Sequence, residues 1–441
     1  MQRLLCLWFD DERALRGRPG ATVATAAQAL LFTHRRLAPD DLTESLVARA
    51  HPRADQLLAA LAEEEPAVLC RAVDRWSHDP RPERRVAAAV YGPAAAPHVT
   101  APADRELLRY AALALLARPE DGVLHGAALG LLVRDPDTRT RYLPAALRRF
   151  AARDPRLPAD ALTPALASHP GPVVEAFRGR LHGCLPPDRG TIPPPASPSP
   201  SAPVPVPVPV FEPDLDPEGE VVLALAAVTG DEPVRRAEGL LLDYLAHRPG
   251  PTAHAHAAAY VAHRLDRTPA PREDPVPFVL RALREHPPGL RAALAPVLAA
   301  PGPAPTAPEA EPTGTVRGTA TGACTGRASS AGARALLLDA LLEGETDHEV
   351  LAALLGAAAR HHAARGPEAT AALVRATARG LLRTAAGAEV LDRGVVGAAR
   401  ESPAFAALLV DGLRAEPEAW SALLGPSARR TLESLAAAAR T

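Results

Sequence analysis

The chain contains no lysine: all 49 basic side chains among its 441 residues are arginine. That absence excludes Schiff-base lysines, lysine nucleophiles and the phosphate-loop lysine that reaches nucleotide phosphates. Pyridoxal-phosphate enzymes and the usual phosphate-loop NTPases drop out with it. Aromatic residues are also scarce, at 3%. Strands draw on aromatic and β-branched side chains, so a ring-poor interior of Ala and Leu favours close helix–helix packing. Scarce rings also argue against a platform that stacks unpaired bases.

Cysteine is limited to Cys6, Cys70, Cys184 and Cys324, far apart and without a CxxC pair or a zinc-like Cys/His spacing. This pattern predicts free thiols in a reducing, cytoplasmic compartment. No apolar run approaches the roughly 18 residues of a membrane span. The run Leu4 to Phe9 is too short for a signal-peptide core and stops at Asp10, Asp11 and Glu12. The formal charge is −2 and the pI about 6.7, so the chain as a whole lacks a basic footprint for nucleic acid or acidic lipid.

What is present is a hydrophobic content of 47% and 49 prolines. Prolines dominate 186–214, which ends in an alternating Pro-Val run from Pro203 to Val210. This composition predicts a solvated polyproline II spacer, able to span as much as about 80 Å. The segment 301–332, rich in Pro, Gly, Thr and Ala, reads as a second disordered linker. Three helical blocks remain: an N-terminal repeat block (1–185), a middle block (215–300) and a C-terminal block (333–441). Within them apolar spacing is helical. Leu107, Leu108, Ala111, Ala112 and Leu115 form one stripe, as do Val350, Leu351, Leu354 and Leu355. Prolines follow capping or turn residues at Glu65-Pro66, Asp79-Pro80, Asp135-Pro136, Glu232-Pro233, Asp274-Pro275, Ser402-Pro403 and Gly425-Pro426. Proline at the first helical position loses no hydrogen bond, so these pairs mark helix starts. Their spacing predicts an all-α fold of short helices stacked as antiparallel hairpins.

Several starts share further residues. Asp231-Glu-Pro-Val-Arg-Arg-Ala-Glu-Gly-Leu-Leu241 and Asp79-Pro-Arg-Pro-Glu-Arg-Arg-Val-Ala-Ala-Ala-Val90 place Asp, Arg and then Ala/Leu in similar frames. Asp135 to Leu147 and Asp347 to Leu355 are looser versions. The pattern resembles the second-helix signature of HEAT-type repeats. That resemblance implies an α-solenoid in which Asp and Arg bridge neighbouring repeats while Ala and Leu fill the core. The matches are irregularly spaced and set no strict repeat count.

No catalytic constellation stands out. GxSxG, HExxH and strand-linked GxGxxG motifs are absent, and the glycines of 314–326 follow no strand. His254 and His256 diverge by about 200° on one helix, and His263 lies about 10 Å from His256, so neither pair suits one ion. His361 and His362 diverge by about 100° on theirs. Both groups read as histidines on polar helix faces. The acidic runs 10–12 and 63–65 read as solvated faces or caps. Arginine clusters are the candidate interaction residues: Arg84 and Arg85; Arg148, Arg149 and Arg153; Arg235 and Arg236. On stacked hairpins they could line a concave face and hold phosphate or carboxylate, with pairing to the nearly equal number of acids as the competing role. The reading is therefore a non-catalytic, HEAT-like scaffold for another protein, needing no cofactor or metal and no membrane. Nucleic-acid binding through an Arg-lined face is the alternative.

Overall fold

A computed structural model describes residues 1–183, 216–267, 274–302 and 330–438. All of the proline-rich spacer (186–214) and most of the second linker (301–332), together with the glycines of 314–326 and two of the four cysteines, lie outside them. The described residues are helical almost throughout, and the only β pairing among them is an isolated bridge between Ala14 and Thr22. The fold is all-α, and no described helix is long and apolar enough to cross a membrane.

The chain forms two compact units, 1–221 and 222–441. The first contains α1 (Gln2–Cys6), α2 (Val23–Thr33), α3 (Pro39–Val47), α4 (Pro52–Glu64), α5 (Pro66–His78) and α6 (Pro82–Ala95). It continues through α7 (Pro102–Leu116), α8 (His125–Arg134), α9 (Pro136–Ala151), α10 (Ala165–Ser168) and α11 (Pro170–Leu181). After α12 (Pro217–Ala226) come α13 (Asp231–His247), α14 (Pro251–Asp266), α15 (Val276–Glu285), α16 (Pro288–Ala299), α17 (Ser330–Gly344) and α18 (His348–Arg360). The last are α19 (His362–Arg365), α20 (Pro367–Leu381), α21 (Ala385–Glu401), α22 (Pro403–Ala415), α23 (Pro417–Ser421) and α24 (Pro426–Ala438).

Proline does open many helices: Pro66, Pro136, Pro403 and Pro426 each occupy the first position. Three expected starts shift. The helix expected at Pro80 begins at Pro82, Pro233 is the third residue of α13, and Pro275 caps α15 from outside. Pro93, Pro144 and Pro296 lie inside helices, so proline does not only mark starts. The linker expected to run to residue 332 ends earlier, because α17 already begins at Ser330.

Packing follows chain order. In the first unit each helix from α3 to α6 packs against both the next helix and the next but one. The alternate contacts stack one hairpin on the following one, which buries faces that no hairpin could bury alone. In the second unit α16 packs on α17 and α18, and α18 on α20 and α21. The helices before and after the 303–329 interval are thus parts of one body, a matter the sequence leaves open.

The first unit has a continuous apolar cluster from Leu5 to Leu132. Its large rings keep their polar ends bonded. Trp76 on α5 meets Tyr91 on α6 edge to face, with ring centres 6.3 Å apart. The Trp76 indole N–H donates to Glu44 at 2.8 Å, and the Tyr91 hydroxyl donates to Asp55 at 2.7 Å. A buried ring thus brings its polar edge to a carboxylate on a neighbouring helix. Burial and this bond push the Tyr91 phenol far above its ordinary value.

Candidate interaction surface

The arginine clusters are mostly held within the protein. Arg84 and Arg85 on α6 are buried. Arg84 donates to Glu44 on α3 at 2.6 Å. Arg85 grips Asp121 with two bonds, at 2.5 and 3.0 Å, and donates to the Asp79 and Pro80 carbonyls. Guanidiniums bound in this way are not presented to phosphate, and at this pair the competing role, pairing with acids, is the one observed. Arg149 donates to Asp154 at 2.7 Å. Arg153 takes a φ of 59°, the left-handed turn that ends α9, and its side chain is exposed, as is that of Arg148. Arg235 and Arg236 both bond Glu232 on their own helix.

A regularity of the helix starts explains Arg85. Five helices read Pro-x-x-Arg from their first residue: Pro82/Arg85, Pro102/Arg105, Pro136/Arg139, Pro288/Arg291 and Pro426/Arg429. In each, the guanidinium reaches back to carbonyls just before the helix. Arg139 donates to Val133 and Arg134, Arg291 to His286, Arg429 to Leu424 and Arg105 to Thr100. Carbonyls at the end of a helix lack intrahelical partners, and a cation there also suits the helix dipole. Arginine at this position therefore stitches the turn of a hairpin. Arg85 and Arg291 extend the stitch to the next layer, through Asp121 and Glu345.

Most members of the acidic runs pair with arginines. Glu64 binds Arg35 and Glu65 binds Arg36, each at 2.6 Å. Asp10 binds Arg49, Asp11 binds Arg13 and Glu12 binds Arg53. The histidines expected on polar faces are half-buried instead. His256 lies 2.9 Å from the Tyr244 hydroxyl, and burial lowers the proton affinity of His254 and His263. His361 and His362 do not share a helix: α18 ends at Arg360, His361 caps it, and α19 begins at His362, whose ring meets Phe405 edge-on. Cys6 and Cys70 are buried free thiols, and burial pushes Cys70 up to about 12, so neither is a thiolate at neutral pH.

The second unit has an open cleft of about 430 Å³ between α15, α16 and α17, bordered by Leu283, Arg284, Leu341 and Glu343. At one end Arg291 donates twice to the buried Glu345, at 2.7 and 3.2 Å. Glu345 also accepts the Thr346 and Asp347 N–H groups, at 3.0 and 2.9 Å. These bonds hold the turn into α18.

The feature that stands out is at the start of the first unit. Helix α1 and the 3-10 turn Leu7–Asp10 form one short helical segment. Leu5, Cys6 and Phe9 face inward and are buried. Leu4, Leu7 and Trp8, spaced for the opposite face, are 62%, 57% and 48% exposed. Gln2 donates to the Ala38 carbonyl at 3.0 Å, which brings Leu37, 82% exposed, beside the first turn. A helix apolar on both faces suits a position between two layers, and here one layer is present. The apolar run Leu4 to Phe9 was visible in the sequence, but not which of its residues would stay outside.

Neither a protein-family model nor a curated protein matches the chain.

Proposed function

We propose that the protein is a non-catalytic scaffold of HEAT-like helical hairpins that binds another protein through the outward apolar face of residues 4–8. The observation that carries this reading is the exposure of Leu4, Leu7 and Trp8 together on a segment whose other face is fully packed. Contiguous exposed apolar surface of this kind marks interaction sites, and Trp is enriched at their centres.

Several features support the repeat reading. Alternate helices pack on one another from α3 to α8. Side-chain bonds between layers recur at similar separations: 40 residues for Arg84–Glu44, 36 for Arg85–Asp121, 36 for Tyr91–Asp55 and 41 for Arg118 to the Ser77 carbonyl. The nucleic-acid alternative is weaker, because Arg84, Arg85 and Arg149 are already bonded to carboxylates. Two buried free thiols suit a reducing cytoplasm.

A photo-crosslinking residue placed at Leu7 tests this reading. In native lysate it yields a discrete protein adduct, and the adduct disappears when Trp8→Glu is added. A diffuse smear unaffected by Trp8→Glu, or crosslinks to nucleic acid alone, would sink it.

A further inference from the structure

The outward face of residues 4–8 is flanked by charge as well as being apolar. The Arg3 side chain is exposed and makes no hydrogen bond or ion pair among the described residues. Asp10 has 63% of its side chain exposed, although it also binds Arg49 and lies 3.4 Å from His51. A carboxylate has about four acceptor positions, so Asp10 keeps room for a further donor. Arg3 and Asp10 are seven positions apart, and with α-helical steps to Leu7 and 3-10 steps beyond it they fall within about 40° of each other, on the same side of the segment. Leu4, Leu7 and Trp8 fill the outward face beside them. The surface therefore has a cation at one end, an anion at the other and an apolar centre between them.

Building on the reading of this face as an interaction surface, we propose that it binds a second copy of the same chain, with the two segments antiparallel across a two-fold axis. Such an axis reverses the direction of the segment while keeping these two residues on the same side. Arg3 then meets Asp10 of the second copy, and the pair forms twice. Leu4, Leu7 and Trp8 of each copy pack on their counterparts at ordinary helix separation. A heterologous partner could satisfy the apolar centre, but nothing about it would require opposite charges at equal distances from that centre. The segment is only about 13 Å long. The contact is therefore well below the size of a standard interface, and the dimer is weak and concentration-dependent.

Sedimentation of the full-length protein from about 1 μM to about 200 μM tests the proposal. The weight-average mass rises towards twice that of the monomer. Trp8→Glu weakens association about 100-fold or more, since each dimer loses the ring twice. Arg3→Glu or Asp10→Arg alone weakens it about tenfold, because both pairs become like-charged. An equimolar mixture of these two single variants restores association, since the heterodimer has Glu opposite Arg at one end and Asp opposite Arg at the other. Far-ultraviolet circular dichroism and melting confirm that the variants stay folded, and Arg3→Glu alters only an exposed side chain. A wild-type protein monomeric throughout the range, or a mixture no better than the single variants, overturns the dimer. If the dimer fails while Leu7 still crosslinks another protein in a Trp8-dependent way, the interaction surface stands and its occupant is a different chain. If both fail, the surface reading falls as well.

Discussion

The two units are made of the same materials and use them differently. The first leaves large apolar side chains in solvent: Leu4, Leu7, Trp8, Leu30 and Leu37 in its opening segment, then Tyr110 and Val123. In the second, only Leu336 and Leu382 are comparably exposed among the described residues. Both units bury titratable groups, but in the second they include histidines and a glutamate whose proton affinities burial shifts. Burial lowers the proton affinity of His254, His263 and His361, and raises the carboxyl of Glu238 above its ordinary range. Both units use the Pro-x-x-Arg stitch, at Arg85, Arg105 and Arg139 in the first and at Arg291 and Arg429 in the second. The same hairpin construction thus yields one unit that leaves apolar side chains exposed and another in which burial disfavours the charged forms of three histidines and a glutamate.

Three measurements test this contrast. The largest effect concerns the stitch between layers of the first unit. Asp121→Ala strands the buried Arg85 guanidinium and costs about 3 kcal/mol, the low end for a buried pair, since both side chains keep about a tenth of their surface in solvent. Replacing both, as Arg85→Met with Asp121→Leu, recovers most of that loss. Denaturant unfolding gives the energies, and hydrogen exchange shows lost protection around α6 and α7. A loss as large in the double variant would mean that the bonds Arg85 makes to Asp121 and to the Asp79 and Pro80 carbonyls, rather than a stranded charge, hold the layers.

Acidification has an intermediate effect and acts on the second unit. His254, His263 and His361 have lowered folded-state affinities, so the stability they contribute is full above their unfolded value of 6.5. That stability is lost as pH falls through the lower folded values. Nearby basic groups add to the cause: His286 beside His254, Arg267 and Arg264 beside His263, Arg360 and Arg365 beside His361. Hydrogen exchange at pH 7 and pH 5, corrected for intrinsic rates, shows protection falling in α14 and α18 ahead of α4 to α6. Equal losses in both units would erase the contrast.

The smallest effect separates surface pairs from stitches. Arg235→Ala removes an exposed bond to Glu232 within one helix, and leaves the melting temperature unchanged within error. A clear drop would show that this arginine does more than decorate α13.

Much of the fold was legible because helices are local. The stripe Leu107, Leu108, Ala111, Ala112 and Leu115 requires only a period near 3.6, and the predicted stripe lies on α7 with Leu108, Ala111, Ala112 and Leu115 buried. A proline at a helix start is likewise a property of a few neighbouring residues. Lysine chemistry was excluded by composition alone.

The site residues were decided elsewhere. Arg84, Arg85, Arg148 and Arg149 look alike as adjacent pairs. Yet Arg84 and Arg85 are buried while Arg148 is exposed, because the carboxylates of Glu44 and Asp121 arrive from 40 and 36 residues away. The apolar run Leu4 to Phe9 could be covered on both sides, on one or on neither. Only the packing of α2 and α3 against it settled that Leu5, Cys6 and Phe9 go inside and Leu4, Leu7 and Trp8 remain out. Periodicity along a chain is written in nearest neighbours, whereas burial depends on which distant segment comes to lie against each face.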